Sequence, residues 1–186
     1  MQASDPHRII GIVPMGDVPD MVPKVIAAHI SAFYHLAAQP LASRPTPKFA
    51  RDPGRLQYDA GKILENLETG AFEGCDKIIG VVSVDLFVPV FTYVLGEARQ
   101  GGRCALLSLF RLSCSGGDRQ GPLFLERCAK VGLHELGHLF NLTHCSDDRC
   151  LMSFAGSAEE LDEKRVQLCR YCTLFLRQAK GYSPSV

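Results

Sequence analysis

The sequence predicts a single α/β (α+β) domain, and three observations predict it. Before Thr69, short β-branched runs alternate with stretches of helical apolar period, giving strand, helix, strand, helix. The most apolar tract, Ile78 to Gly96, is interrupted by Asp85 and Pro89 and is rich in β-branched residues, so it reads as two buried strands and not as a bilayer span. At 186 residues the chain can bury about two-thirds of its unfolded surface around one core without disulfide staples.

Taken in order, Arg8 to Pro14 is a first strand, closed by its proline. Met21 to Ala37 carries Val25, Ile26, His29, Ile30, Phe33 and Leu36 at helical spacing, and Pro40 ends the element. On the apolar face, His29 is expected in the core or at its rim, while His7 and His35 are expected in solvent. Ala42 to Arg55 contains Pro45, Pro47, Pro53 and Gly54 and is mostly connection, with a short strand near Lys48 to Arg51. A second helix covers Tyr58 to Leu67 and buries Ala60, Ile63, Leu64 and Leu67. Ile78 to Val84 and Val90 to Leu95 are the two buried strands, the second alternating through Phe91, Tyr93 and Leu95 and closed by Gly96-Glu97-Ala98. Arg103 to Leu112 is another strand, and Ser115 to Asp118 is a turn-rich loop.

A long helix, Leu123 to Phe140, follows Gly121-Pro122. Its buried stripe is Leu125, Cys128, Gly132, Leu136 and Leu139, with Arg127 and Lys130 pointing elsewhere. Gly132 and Gly137 each cost about 1 kcal/mol in a helix interior, which predicts close packing against the sheet. His134 and His138 stand four residues apart, so both imidazoles face one way and can bind one metal ion, with Glu135 beside them. His144 completes the set if the helix stops and the chain turns back. Asn141 stands where it must turn, and asparagine is the best non-glycine residue for the left-handed conformation required. Three neutral imidazoles with an open fourth position suit a catalytic zinc, which lowers the pKa of a bound water from about 15.7 to about 7. Glu135 is then the general base that takes this water's proton and passes it to a leaving amine. An HExxH pattern arises by chance in on the order of one chain in a hundred of this size, and a correctly placed third histidine lowers that about thirtyfold.

The second constellation is of cysteines. Cys145 and Cys150 are followed by Cys169 and Cys172, two pairs with the spacing of a closed four-thiolate zinc site. The competing reading is burial as small hydrophobes. The latter pair is expected on a final helix that opens with the capping box Ser157 to Glu160 and runs to Lys180, with Leu161, Leu168, Phe175 and Ala179 inward. Cys75, Cys104, Cys114 and Cys128 have no paired spacing and are expected in the core.

These residues carry a resemblance. The run HELGHLFNLTHC, then Cys150-Leu151-Met152, then Cys169-x-x-Cys172, resembles the archaemetzincin family of zinc peptidases. Upstream, Arg55 to Tyr58, Val84 to Phe87, Gly96 to Ala98 and Ser108 to Leu112 are similar to that family too. The resemblance implies that His134, His138 and His144 hold a catalytic zinc, that Glu135 is the base, and that Met152 packs beneath the site in a Met-turn. It also implies a metzincin-like single domain over residues 1–186. An upper part, to about 144, would have a mixed twisted sheet, backing helices and the active-site helix, and a short lower part, 145–186, would carry the Met-turn and the C-terminal helix. An antiparallel edge strand would pair with extended substrate, Phe91 to Leu95 being the candidate. Asn141 departs from the family, which has glycine there.

Lys plus Arg and Asp plus Glu both count 20, so no overall field favours nucleic acid or an anionic membrane. The polar start and the early break at Pro14 and Gly16 argue against a secretory signal, so a soluble cytoplasmic monomer is expected. The functional expectation is a zinc-dependent metallopeptidase with two zinc ions per chain, acting on peptides or unfolded protein. The alternatives are a zinc-stabilised peptide-binding protein with little turnover, or a hydrolase of non-peptide amides.

Overall fold

The computed structural model describes residues 9–113 and 121–180, the last two by their backbone only. His7, Cys114, the Ser115 to Asp118 loop and the side chain of Ala179 lie outside the described residues. The elements in chain order are β1 (Ile9–Met15), α1 (Met21–Tyr34), β2 (Ala37–Pro40), β3 (Arg51–Asp52), β4 (Gln57–Asp59), α2 (Ala60–Glu68) and β5 (Cys75–Val82). There follow β6 (Leu86–Val88), β7 (Phe91–Val94), β8 (Gly96–Ala98), β9 (Cys104–Ser108), α3 (Pro122–Leu139), α4 (Ala158–Glu163) and α5 (Arg170–Lys180).

The main sheet has the order β2-β1-β5-β9-β8, all parallel except β8, which lies antiparallel on one edge. Helices cover both faces, which is why its strands read as nearly continuous apolar runs. Along β5 and β9 the side chains alternate: Ile79, Val81, Ala105 and Leu107 pack with Ile26, Ile30, Cys128 and Leu136 of α1 and α3. Ile78, Val82, Cys104 and Leu106 pack with Ile63, Leu64 and Leu67 of α2. Cys75, Cys104 and Cys128 are buried free thiols, as expected of core residues. A second, smaller sheet has the order β3-β4-β6-β7. Among the described residues no helix is long and apolar enough to cross a membrane.

Several elements differ from expectation for local reasons. α1 stops at Tyr34 because His35 takes a left-handed conformation (φ 52°), and the following residues pair with β1 as an additional strand, β2. His35 is exposed and His29 half-buried, as expected. The Asp59 side chain accepts from the Lys62 N–H at 3.2 Å, which starts α2 at Ala60 and leaves Tyr58 in β4 opposite Leu86. Lys48–Ala50 is a 3₁₀ turn ahead of β3. Leu86–Val88, expected as a spacer, is β6, and β9 ends at Ser108, whose hydroxyl accepts from the Phe110 N–H at 3.1 Å.

Arg127 and Lys130 do not point away from the core: they are buried beneath α4. Lys130 Nζ donates to the Leu161 carbonyl at 2.9 Å, supplying a cation to the carbonyl end of that short helix. Arg127 makes a two-point ion pair with Asp162, and this hydrogen-bonded guanidinium holds the Asp162 carboxyl below its ordinary range. A depressed folded value contributes stability that is fully present above the unfolded value, about pH 3.9, and is lost as pH falls through the folded value. Asp162→Asn should therefore flatten the loss of stability below about pH 4, read by circular dichroism in an acid titration.

The single final helix expected from Ser157 to Lys180 is two helices. Ser157 does cap α4, but the Arg165 N–H donates to Arg149 O at 3.1 Å and the Leu151 N–H to Gln167 O at 2.9 Å. The linker therefore runs extended beside the Cys145 to Met152 segment and delivers Cys169 to Cys150. α5 starts only afterwards, and Phe175 faces outward, not inward.

Candidate metal centre

α3 brings His134 and His138 to one cleft wall, with their Nε2 atoms 3.0 Å apart. Each Nδ1 meets a carbonyl oxygen, Leu151 O at 2.8 Å for His134 and Leu142 O at 2.7 Å for His138. A carbonyl can only accept, so each Nδ1 carries the proton and each Nε2 keeps its lone pair for a metal. Burial lowers the pKa of all three imidazoles, that of His134 to about 3, so the free rings are neutral at pH 7 as ligands must be.

The third histidine arrives through the turn the sequence required. Asn141 is left-handed (φ 67°), and the Leu142 N–H returns to Gly137 O at 3.0 Å, closing the helix end. Gln100 Nε2 reaches Asn141 Oδ1 at 3.4 Å and Leu142 O at 3.0 Å, tying this turn to the chain after β8. The His144 ring centroid then lies 5.3 Å from that of His134 and 4.9 Å from that of His138, with the edge of Phe154 against it at 5.5 Å. One ligand atom from each histidine lies within 4.8 Å of the others, a set that fits a divalent ion such as zinc.

Met152 is fully buried beneath the site. A Cβ on Gly137 would strike its Sδ, and one on Gly132 would lie 3.0 Å from Ile26 Cγ2, so both glycines mark close approaches to the helix. Gly137→Ala should lower stability on denaturant unfolding. The overpacking costs about 1–3 kcal/mol and exceeds the gain of about 1 kcal/mol in helix propensity.

Glu135 lies under the edge strand: a Cβ on Gly96 would collide with its Oε1. Its carboxyl is buried, and burial raises its pKa well above the ordinary value, with Glu97 adding to the effect. A divalent ion in the histidine group would oppose this, because positive charge favours the carboxylate. The cleft, about 470 Å³, is lined by β7 and β8 above, the histidines behind, and Phe154 to Gly156 below. Two antiparallel edge strands border the cleft, β8 on the main sheet and the expected Phe91–Val94, β7, on the smaller one. The Ser108 N–H already bonds Leu95 O at 2.8 Å and Gly96 lies opposite Leu107, so pairing with β9 begins there, while Phe91–Val94 belongs to the smaller sheet.

Cys145, Cys150, Cys169 and Cys172 converge with their sulfurs within 4.8 Å of one another. Cys145 and Cys169 sulfurs are 3.7 Å apart, close to the roughly 3.8 Å that a tetrahedral ion with 2.3 Å zinc–sulfur bonds requires. Backbone N–H groups of Asp147, Cys169 and Cys172 point at three of these sulfurs. Burial raises the thiols of Cys150 and Cys172. At Cys169 burial acts the same way, but hydrogen bonds from the Cys172 N–H and the neighbouring thiols outweigh it and lower that thiol. Four thiolates cannot share this space without a cation, so the donor set fits a metal ion.

Sequence reasoning missed Gly96 above Glu135, the Leu142 and Leu151 carbonyls that orient two imidazoles, and Tyr93, whose hydroxyl donates to Gly156 O across the cleft at 2.7 Å. All but the His138–Leu142 contact, which spans the helix-ending turn, join distant segments with no local signature.

Residues 46–178 match the model of Peptidase family M54. The archaemetzincin of Methanopyrus kandleri is 41% identical over 132 residues, 71% of this chain and 73% of that one. The crystal structure of an archaemetzincin from the same organism gives a TM-score of 0.86 at 32% identity, over 98% of this chain and 100% of the other. The archaemetzincin of Natronomonas pharaonis is 34% identical over 168 residues, 88% of this chain and 96% of that one. A zinc-dependent peptidase from Methanocorpusculum labreanum gives a TM-score of 0.80 at 28% identity, over 90% and 99% of the two chains. With three converging imidazoles, a buried glutamate beside them and likeness over nearly the whole chain, the protein belongs to peptidase family M54 and is a zinc metallopeptidase of the archaemetzincin kind.

Proposed function

We propose that the chain hydrolyses peptide bonds in the cleft under β8, with His134, His138 and His144 as ligands of the catalytic zinc and Glu135 as general base. The observation that carries the reading is the pair of free Nε2 atoms 3.0 Å apart beside a carboxylate wedged against the edge strand. Zinc held there supplies an acidified water and a polarised carbonyl. The chain's own residues do the rest. Glu135 takes the water's proton at a carboxylate oxygen and returns it to the leaving amine. The outer edge of β8 offers main-chain N–H and C=O groups to an extended peptide, which orients the scissile bond.

Cys145, Cys150, Cys169 and Cys172 hold a second, structural zinc. Its role is to fix the lower part, about 145–186, against the upper part, about 1–144, within one domain. The Cys145 N–H donates to Met152 O at 2.9 Å, so the same segment joins the thiolate group to the floor of the histidine site. The balanced charge gives no overall attraction for nucleic acid, and in this reading the substrate is a peptide or unfolded protein and the chain a monomer. The test is a mixed peptide pool incubated with the zinc-loaded protein and read by mass spectrometry, before chelation, after it, and after zinc is restored. Products that vanish on chelation and return with zinc are expected. A pool left intact while both sites hold zinc would refute turnover and put peptide binding, or another amide substrate, in its place.

A further inference from the structure

We propose that the outer face of α5 is a docking surface for an acidic amphipathic helix of another protein. This face is apolar where a surface helix is ordinarily polar: Tyr171, Leu174 and Phe175 are 73%, 46% and 62% exposed. Their i, i+3, i+4 spacing puts them on one side, while Cys172 and Leu176 turn inward to the cysteine cluster. Beside the stripe lies a groove of about 690 Å³, walled by α5 and by the turn from Phe140 to Ser146.

Charge selects the occupant. Arg170 and Arg177 are exposed, seven residues apart, and so lie along one edge of the stripe. α5 has no acidic residue, and neither arginine is ion-paired among the described residues. Among the described residues no carboxylate lines the groove. A second copy docking α5 against α5 would oppose these arginines to one another, a like-charge arrangement that costs binding. A bilayer takes a protruding apolar face, whereas these anchors border a concavity. A helix with leucines at i, i+3, i+4 spacing and flanking Asp or Glu satisfies both the apolar stripe and the basic edge. Seated there, it lies against Thr143, His144 and Cys145, the stretch that joins the histidine group to the cysteine group.

The test uses the full zinc-loaded chain and a fluorescent helical peptide of about 18 residues, long enough to be helical, with leucine at that spacing and glutamate elsewhere. The same peptide with lysine for glutamate is the control, and fluorescence anisotropy is the readout. The acidic peptide is expected to bind at least about tenfold tighter than the basic one, and more weakly as salt rises. Leu174→Ser with Phe175→Ser, and separately Arg170→Glu with Arg177→Glu, should each weaken it by about tenfold or more at unchanged zinc content and circular dichroism. All four side chains are exposed, and either pair alone suffices for the test. Equal binding of the two peptides, or indifference to both pairs of substitutions, overturns the proposal. So does loss of self-association alone in sedimentation velocity, which assigns the face to a second copy. Binding only to phosphatidylglycerol vesicles assigns it to a membrane, and tighter peptide binding after removal of residues 181–186 assigns it to the chain's own end.

Discussion

Glu135→Ala at unchanged zinc content is expected to lower peptide turnover by about 10²–10⁴-fold, the usual contribution of a positioned general base. The loss should fall on kcat with KM little changed, because the edge of β8 and the cleft walls that bind substrate stay in place. Glu135→Gln, which keeps the shape of the side chain but replaces an acceptor oxygen with an amide that cannot take a proton, should be as inactive as the alanine variant. The site also gives this residue a structural neighbour whose effect can be separated. A methyl group on Gly96 would meet Oε1 of Glu135, so Gly96→Ala should displace the carboxylate and reduce kcat while leaving the base intact. Turnover at the wild-type rate in Glu135→Gln, measured with zinc content matched, would place the base elsewhere.

The second large effect is expected from Cys169→Ser combined with Cys172→Ser. Binding of a structural zinc is worth about 10–16 kcal/mol in small zinc-finger peptides, as much as the whole stability of a typical domain at about 5–15 kcal/mol. Around this group the buried cluster is small, Leu142, Cys150, Met152 and Cys172, and two of these four are the proposed ligands themselves. The double variant should lose one equivalent of zinc and become open to proteolysis between Asn141 and Lys180. Zinc affinity at the histidine site should also fall, because His144 precedes Cys145 and Met152 lies under Gly137. Unchanged histidine-site affinity in a folded double variant, read by competition with a chromogenic chelator, would disprove the coupling between the two centres.

The convergence of both donor groups is legible in the sequence because its determinants are local. His134 and His138 share a helix face by periodicity alone, Asn141 marks the one place the helix can turn, and the cysteine pairs have characteristic spacing. The same holds for the strands of the main sheet, since burial on both faces leaves a continuous apolar signature in β1, β5 and β9. Even the departure at Asn141 works as expected, with a left-handed backbone and an amide that reaches Gln100.

What the sequence by itself determined, then, is an α/β fold of family M54 and the chemical identity of both donor groups. Tertiary structure alone decided the rest. Helical pattern in Lys164 to Cys169 is overridden because that stretch pairs with Arg149 and Leu151, and no local propensity encodes a partner at that distance. Arg127 and Lys130 read as surface charges until α4 brings its carbonyl end and Asp162 over them. The main sheet's antiparallel edge falls at Gly96–Ala98 because β9 supplies its hydrogen bonds, and there the missing side chain of Gly96 leaves room for Glu135. Periodicity and spacing report what a residue's own segment does. Which side of the cleft a strand forms, and what lies against a buried charge, depend on contacts made across the whole chain.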